Sequence, residues 1–145
     1  MDTYELQKFM RKINPQIEYN VFAANRLPIY SSLPIYVISN MDPDTKPGSH
    51  WVAIHIDADG VGEYFDSYGR KPIKMHEKFI KRNSKLWSYN NKQVQNYFTT
   101  VCGEYCLMYL YFRYRNMKMS DFLNIFSNNT LYNDLIVDEM FKTIF

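Results

Sequence analysis

Only two of the 145 residues are cysteine, and they stand four positions apart, at 102 and 106. A disulfide between them would close a very short loop inside one helical turn, so the pair reads as free thiols of a reducing compartment. C-x3-C without a second Cys or His pair nearby also lacks the usual ligand spacing of a zinc site, and neither a metal nor another cofactor is expected. No apolar run approaches the roughly 20 residues a bilayer span requires; the longest, CLMYLYF, is far shorter. The opening MDTYELQKFM has no signal-peptide core, which predicts a soluble, intracellular protein without membrane contact. A basic block is missing too. With a net charge of only +2 and both signs interspersed, nucleic-acid binding is expected to be weak or absent. No repeat, low-complexity tract or linker interrupts the chain, which reads as one domain over residues 1–145.

What is present is material for an aromatic-rich core: 46% of residues are hydrophobic and 17% aromatic, which excludes a disordered chain. A helix is predicted over residues 3–12, where Asp2 and Glu5 have capping-box spacing and Tyr4, Leu6, Phe9, Met10 and Ile13 form an apolar stripe. Two extended pieces follow, IEYNVFA and IYVISN, with prolines between them that oppose helix. HWVAIHID, ADG and VGEYFDSYG predict a β-hairpin centred near Ala58 and Asp59. That centre sets His50 opposite Asp66 or Ser67, close enough for their side chains to meet. RKPIKMHEKFIKRN reads as a helix or irregular connector, and KLWSYNNKQVQ as a further strand. From Cys102 to about Arg115 the chain is apolar on nearly every side, the mark of a central buried helix. Two more helices are predicted, one capped by Ser120 and one from about Tyr132, with Ile136, Met140, Phe141 and Ile144 inward. The order of helix, strands, then helices is an α+β arrangement.

The chemistry concentrates in QNYFTTVCGEYC, residues 95–106. A cysteine in the first turn of a helix faces unpaired N–H groups and the positive end of the macrodipole, which favour thiolate. Taken alone, such a cysteine is more often a small core hydrophobe. With His50 beside it, Cys102 becomes an activated nucleophile with its own proton donor, and Asp66 can orient the imidazole as third member. The Cys102 backbone N–H and the Gln95 amide can supply the donors an oxyanion needs. Gly103 fits a place where a substrate backbone or neighbouring strand comes close. Cys106, one turn on, is assigned to the core. His55 lies near the hairpin tip on the other strand face and ranks below His50; His76, among lysines, is expected to be solvated.

GSHWVAIHID, EYFDSYG and a glutamine seven residues ahead of CGEYCLMYL resemble, in this order, the adenovirus protease family of adenain-like cysteine endopeptidases. The resemblance covers roughly residues 17–115. It implies a papain-like active site with reversed chain order, on an α+β fold shared with SUMO-specific proteases: a central mixed sheet with a buried helix carrying the nucleophile. Carried over, Cys102 is the nucleophile, His50 the base, Asp66 the third member and Gln95 the oxyanion donor. Trp51, the aromatic beside the base, and Gly103 would meet substrate. The implied task is cutting capsid or other precursor proteins of a virus or mobile element at Gly-containing motifs, in the host cytoplasm or nucleus or packaged in virions. Two alternatives stand beside it, a deconjugating isopeptidase for a ubiquitin-like modifier and a non-catalytic protein-binding module. The family's enzymes carry glutamate where Asp66 stands. They also bear a cysteine for a tethered activator peptide where this chain has Ser84, so a peptide activator here would bind without a disulfide.

Overall fold

The computed structural model describes residues 1–16 and 20–145. Strands β1 (Val21–Phe22), β2 (Ile35–Asn40), β3 (Trp51–Ile56), β4 (Val61–Phe65) and β5 (Leu86–Tyr89) form one sheet in the order β1-β2-β3-β4-β5. The outer pairs β1/β2 and β4/β5 are parallel, the inner pairs antiparallel. The predicted extended piece IEYNVFA survives as β1, while its first three residues, 17–19, lie outside the described residues. Helices α1 (Thr3–Ile13), α2 (Lys74–Asn83), α3 (Cys102–Tyr114), α4 (Met119–Leu123) and α5 (Thr130–Ile144) complete the α+β architecture. Among the described residues no helix is long and apolar enough to cross a membrane.

The central strands read as nearly continuous hydrophobic runs because both sheet faces are covered. On one face Ile38, Ala53 and Phe65 pack with Cys106, Tyr109 and Leu110 of α3. On the other, Val52, Ile54, Ile56 and Tyr64 pack with Phe79 and Ile80 of α2. Seven residues of α3 are buried, which explains why its sequence has no polar face. At α1 the capping box forms as expected, with the Asp2 side chain accepting from the Glu5 N–H and the Glu5 carboxylate from the Asp2 N–H. Tyr4, placed in the apolar stripe, is instead 78% exposed, and Gln7 is buried. Ser120 does not cap α4; that helix starts at Met119 without a side-chain cap, whereas Asn129 caps α5 by accepting from the Tyr132 N–H.

The β3/β4 hairpin turns one residue later than a two-residue Ala-Asp loop would. Ala53 pairs with Phe65 and Ile56 with Gly62, centring the turn on residue 59. Gly60 adopts φ +83°, a left-handed conformation that adds a residue to the loop and that glycine takes without strain. The ladder ends at the Ala53 and Phe65 pair, and beyond it the chain turns at Asp66, whose side chain meets His50.

Two histidines are structural. His55 is buried, donates from Nδ1 to the Ile35 carbonyl at 3.0 Å and lies against Tyr36. His76, expected in solvent, is fully buried on the inner face of α2, its Nε2 2.9 Å from the Ser39 hydroxyl. The lysines around it point outward and hide its helical spacing with Phe79 and Ile80. Burial holds both imidazoles neutral, with pKa values lowered to about 4, helped at His55 by the Arg113 charge. An unfolded chain takes up these protons near pH 6.5, so between pH 6.5 and 4 it binds more protons than the native state. The contribution of these two rings is therefore full above about pH 6.5 and lost as pH falls towards 4, by on the order of 2 to 3 kcal/mol for each ring. Denaturant unfolding across this range measures the loss, and a flat profile would contradict it.

Candidate active site

Asp66 follows directly on β4, and its position is over-determined. Its N–H donates to the Asn90 Oδ1 at 2.9 Å, and its carbonyl accepts from the Asn90 Nδ2 at 2.6 Å. A tight turn closes with the Gly69 N–H donating to the same carbonyl. Gly69 has φ +73°, and a Cβ there would lie 2.7 Å from the backbone of Lys92, so DSYG requires its glycine. The carboxylate has no exposed surface. Its Oδ1 accepts from the His50 Nε2 at 2.6 Å and from the Tyr68 N–H at 2.9 Å. His50, 6% exposed, is anchored through its carbonyl, which accepts from the Met41 N–H at the end of β2.

With Nε2 taken by Asp66, Nδ1 is the ring nitrogen left for Cys102. Thiol and imidazole both line the mouth of a cleft of about 550 Å³. Burial by itself lowers the His50 pKa, but hydrogen bonds to Asp66 and Cys102, with their charges, hold it up at about 9. Burial likewise opposes ionisation of Cys102. The His50 hydrogen bond and charge, with the Trp51 backbone N–H, outweigh it and bring the thiol below its ordinary value. The first turn of α3 lacks a side-chain cap, so its N–H groups add to this field. An imidazolium and a thiolate side by side are the form in which sulfur attacks and nitrogen gives up a proton.

Cys106, one turn along α3, has no exposed surface, and burial pushes its thiol well above the ordinary range. Cys106→Ser leaves a hydroxyl without a partner among apolar neighbours. It should lower stability by about 1 to 3 kcal/mol in denaturant unfolding, while leaving Cys102 alkylation unchanged.

The other sequence candidates fall as follows. Trp51 lines the cleft beside Cys102, its indole N–H donating to the Met1 carbonyl at 3.0 Å. Gly103 does admit a close neighbour, but that neighbour is α1: an added Cβ would lie 3.2 Å from Leu6 and 3.4 Å from Met1. It packs the N-terminal helix against α3 and does not line the cleft. Gln95 is fully buried; its Oε1 accepts from the Ser67 hydroxyl at 2.5 Å, and its Nε2 lies 3.0 Å from the Thr99 carbonyl and 3.3 Å from the Thr99 hydroxyl. Sequence reasoning missed Asn90, the clamp on Asp66, and Tyr68, stacked on His50. Tyr68 lies two residues beyond Asp66 in the turn that follows β4, whereas Asn90 depends on the parallel β4/β5 register, which no local pattern announces.

No known family model matches the chain. It is 32% identical over 112 residues to a thiol protease of Acanthamoeba polyphaga mimivirus, covering 70% of this chain and 36% of that protein. It is 32% identical over 100 residues to a cysteine protease of African swine fever virus, covering 60% of this chain and 36% of the relative. The chain thus spans about a third of the length of the curated relatives it matches. A crystal structure of the swine fever virus protease superposes with TM-score 0.56 at 26% identity, over 77% of this chain and 42% of that one. The SUMO protease Ulp1, its catalytic cysteine oxidised to a sulfinic acid, superposes with TM-score 0.53 at 14% identity, over 99% of this chain and 78% of its own. The chain is similar in sequence to viral cysteine proteases and carries a fold similar to those of the swine fever virus protease and the SUMO protease.

Proposed function

We propose that the chain is the catalytic unit of a thiol-dependent endopeptidase, which cuts viral or mobile-element precursor proteins at Gly-containing motifs. The observation that carries this reading is the His50 ring, bonded through Nε2 to Asp66 and sharing one cleft with the Cys102 thiol, each raising or lowering the other's ionisation in the sense an ion pair requires.

In this reading the Cys102 thiolate attacks the carbonyl carbon of the scissile bond, and the π-electron pair moves to oxygen. The Cys102 N–H and the Gln95 amide receive that oxyanion. Of the two Gln95 contacts to Thr99, the 3.3 Å one to the hydroxyl is the weaker, and an N–H released from it would serve. Collapse expels the amine, which takes its proton from the His50 imidazolium and leaves a thioester. Neutral His50 then draws a proton from water as the water oxygen attacks; the thiolate leaves and the acid product forms. Gln95→Ala should lower kcat roughly 10²-fold with KM little changed. An unchanged kcat would return the oxyanion to backbone donors alone.

The SUMO-protease likeness, extending over 99% of the chain, favours a second reading as a deconjugating isopeptidase for a ubiquitin-like modifier. Fluorogenic ubiquitin-like substrates assayed beside short Gly-containing peptides separate the two. Cleavage of peptides supports the endopeptidase, and cleavage of modifiers alone defeats it. A non-catalytic module is tested by iodoacetamide at pH near 6. Cys102 should react faster than free cysteine, and His50→Ala should remove the difference; equal rates would leave only a binding role.

A further inference from the structure

Resting on the reading of Cys102 and His50 as an ion pair, we propose that Tyr68 is a positioning residue for His50: its ring face fixes the imidazole plane and favours the imidazolium. The two rings stack with centroids 4.3 Å apart and planes 13° from parallel. The tight turn that begins at Asp66, just past the end of β4, carries Tyr68 onto the face of His50. One atom ties the arrangement together. Asp66 Oδ1 accepts from His50 Nε2 at the edge of the imidazole and from the Tyr68 N–H on the backbone that carries the second ring.

A hydrogen bond at one nitrogen pins an imidazole at a single edge and leaves it free to tilt about that point. A flat neighbour at stacking distance removes the tilt and keeps Nδ1 aimed at the sulfur. The face of a tyrosine is also electron-rich and attracts a cation. Tyr68 is itself braced. Tyr97 lies 5.1 Å from it, and the Arg70 guanidinium sits 5.1 Å and 5.4 Å from the two ring centroids. The charged and titratable groups around the stack are Asp66 and Cys102 on His50, Arg70 and Asp134 near Tyr68, and Glu104 near Cys102. Among the described residues the imidazole alone stacks in parallel on Tyr68, while Tyr97 meets that ring at a tilt and Arg70 lies over it.

The sign follows from the order of deprotonation. His50 is protonated both before and after the thiol ionises, so loss of the stack leaves the acid limb near its place and lowers the pH at which His50 deprotonates. In an NMR titration of the intact chain, the ring signal of His50 should be separate from the neutral His55 and His76. Tyr68→Leu should move its midpoint down from near pH 9 by about half a unit. Tyr68→Phe, which keeps the face, should titrate as the parent. Replacing Tyr68 by pentafluorophenylalanine keeps the shape and inverts the charge distribution of the face, and should lower the midpoint at least as much as leucine. The alkaline limb of kcat should follow, with KM unchanged.

An unmoved midpoint in both the leucine and pentafluorophenyl forms overturns the proposal, as does Tyr68→Phe behaving like leucine. If Tyr68→Leu unfolds, seen as His55 and His76 returning to ordinary titration, the pentafluorophenyl form decides alone. The NMR reading needs no substrate. A midpoint that moves in a chain that cleaves nothing leaves this inference standing and removes the peptidase reading.

Discussion

Cys102→Ser should abolish turnover, by about 10⁴-fold or more, while the melting transition stays close to that of the parent. In the proposed mechanism the thiol works because it ionises. His50, Asp66 behind it and the open first turn of α3 bring it below the ordinary thiol value despite burial. A serine hydroxyl begins many pH units higher, and the same surroundings cannot bring it to an alkoxide near neutrality. The side chain is partly exposed at the cleft mouth, unlike Cys106, so the exchange removes little packing. Without the thiolate, His50 also loses one of the groups that hold its pKa up. Peptide turnover and unfolding measured on one preparation test this. Residual cleavage within a hundredfold of the parent would mean that the nucleophile lies elsewhere.

Asp66→Asn should follow in severity, lowering kcat/KM roughly 10²- to 10⁴-fold. Oδ1 accepts from two donors at once, and an asparagine can serve both only with its oxygen turned to that place. Even so oriented it carries no charge. His50 is held protonated to about pH 9 against a burial that favours the neutral ring, and the Asp66 hydrogen bond and charge are among the forces that do so. Remove the charge and the imidazolium releases its proton at lower pH, so the alkaline limb of the rate profile moves down. Asp66→Glu keeps the charge on a longer arm and should be the milder change. The pH profiles of both variants measure this, and an asparagine form within tenfold of the parent, with its alkaline limb in place, would remove Asp66 from the triad.

The reach of sequence reasoning followed the range of the forces. Local signals carried the Asp2 capping box and the all-apolar α3 to the right places, since each depends on residues within a few positions. The hairpin brought His50 and Asp66 together, although the left-handed Gly60 shifted the register by a residue and the ladder ends at Phe65, before the turn that carries Asp66 and Tyr68. Harder to read were residues whose neighbours come from far along the chain. His76 turns inward because Ser39 and Tyr64 wait there on strands fixed by other contacts. Gly103 was legible as a site of close approach, but α1, rather than a substrate, is what approaches.

Asn90 seats Asp66 from 24 positions further along the chain, and it can do so only once β5 lies beside β4. A chain that has closed the hairpin and formed α3 but has not docked this edge strand owns a thiol and an imidazole, yet no fixed anion behind them. Such late, long-range pairings are the slow part of assembling a sheet. Under the proposed function, competence to cut therefore waits on the docking of β5, and copies in which that strand is unpaired hold an idle sulfur.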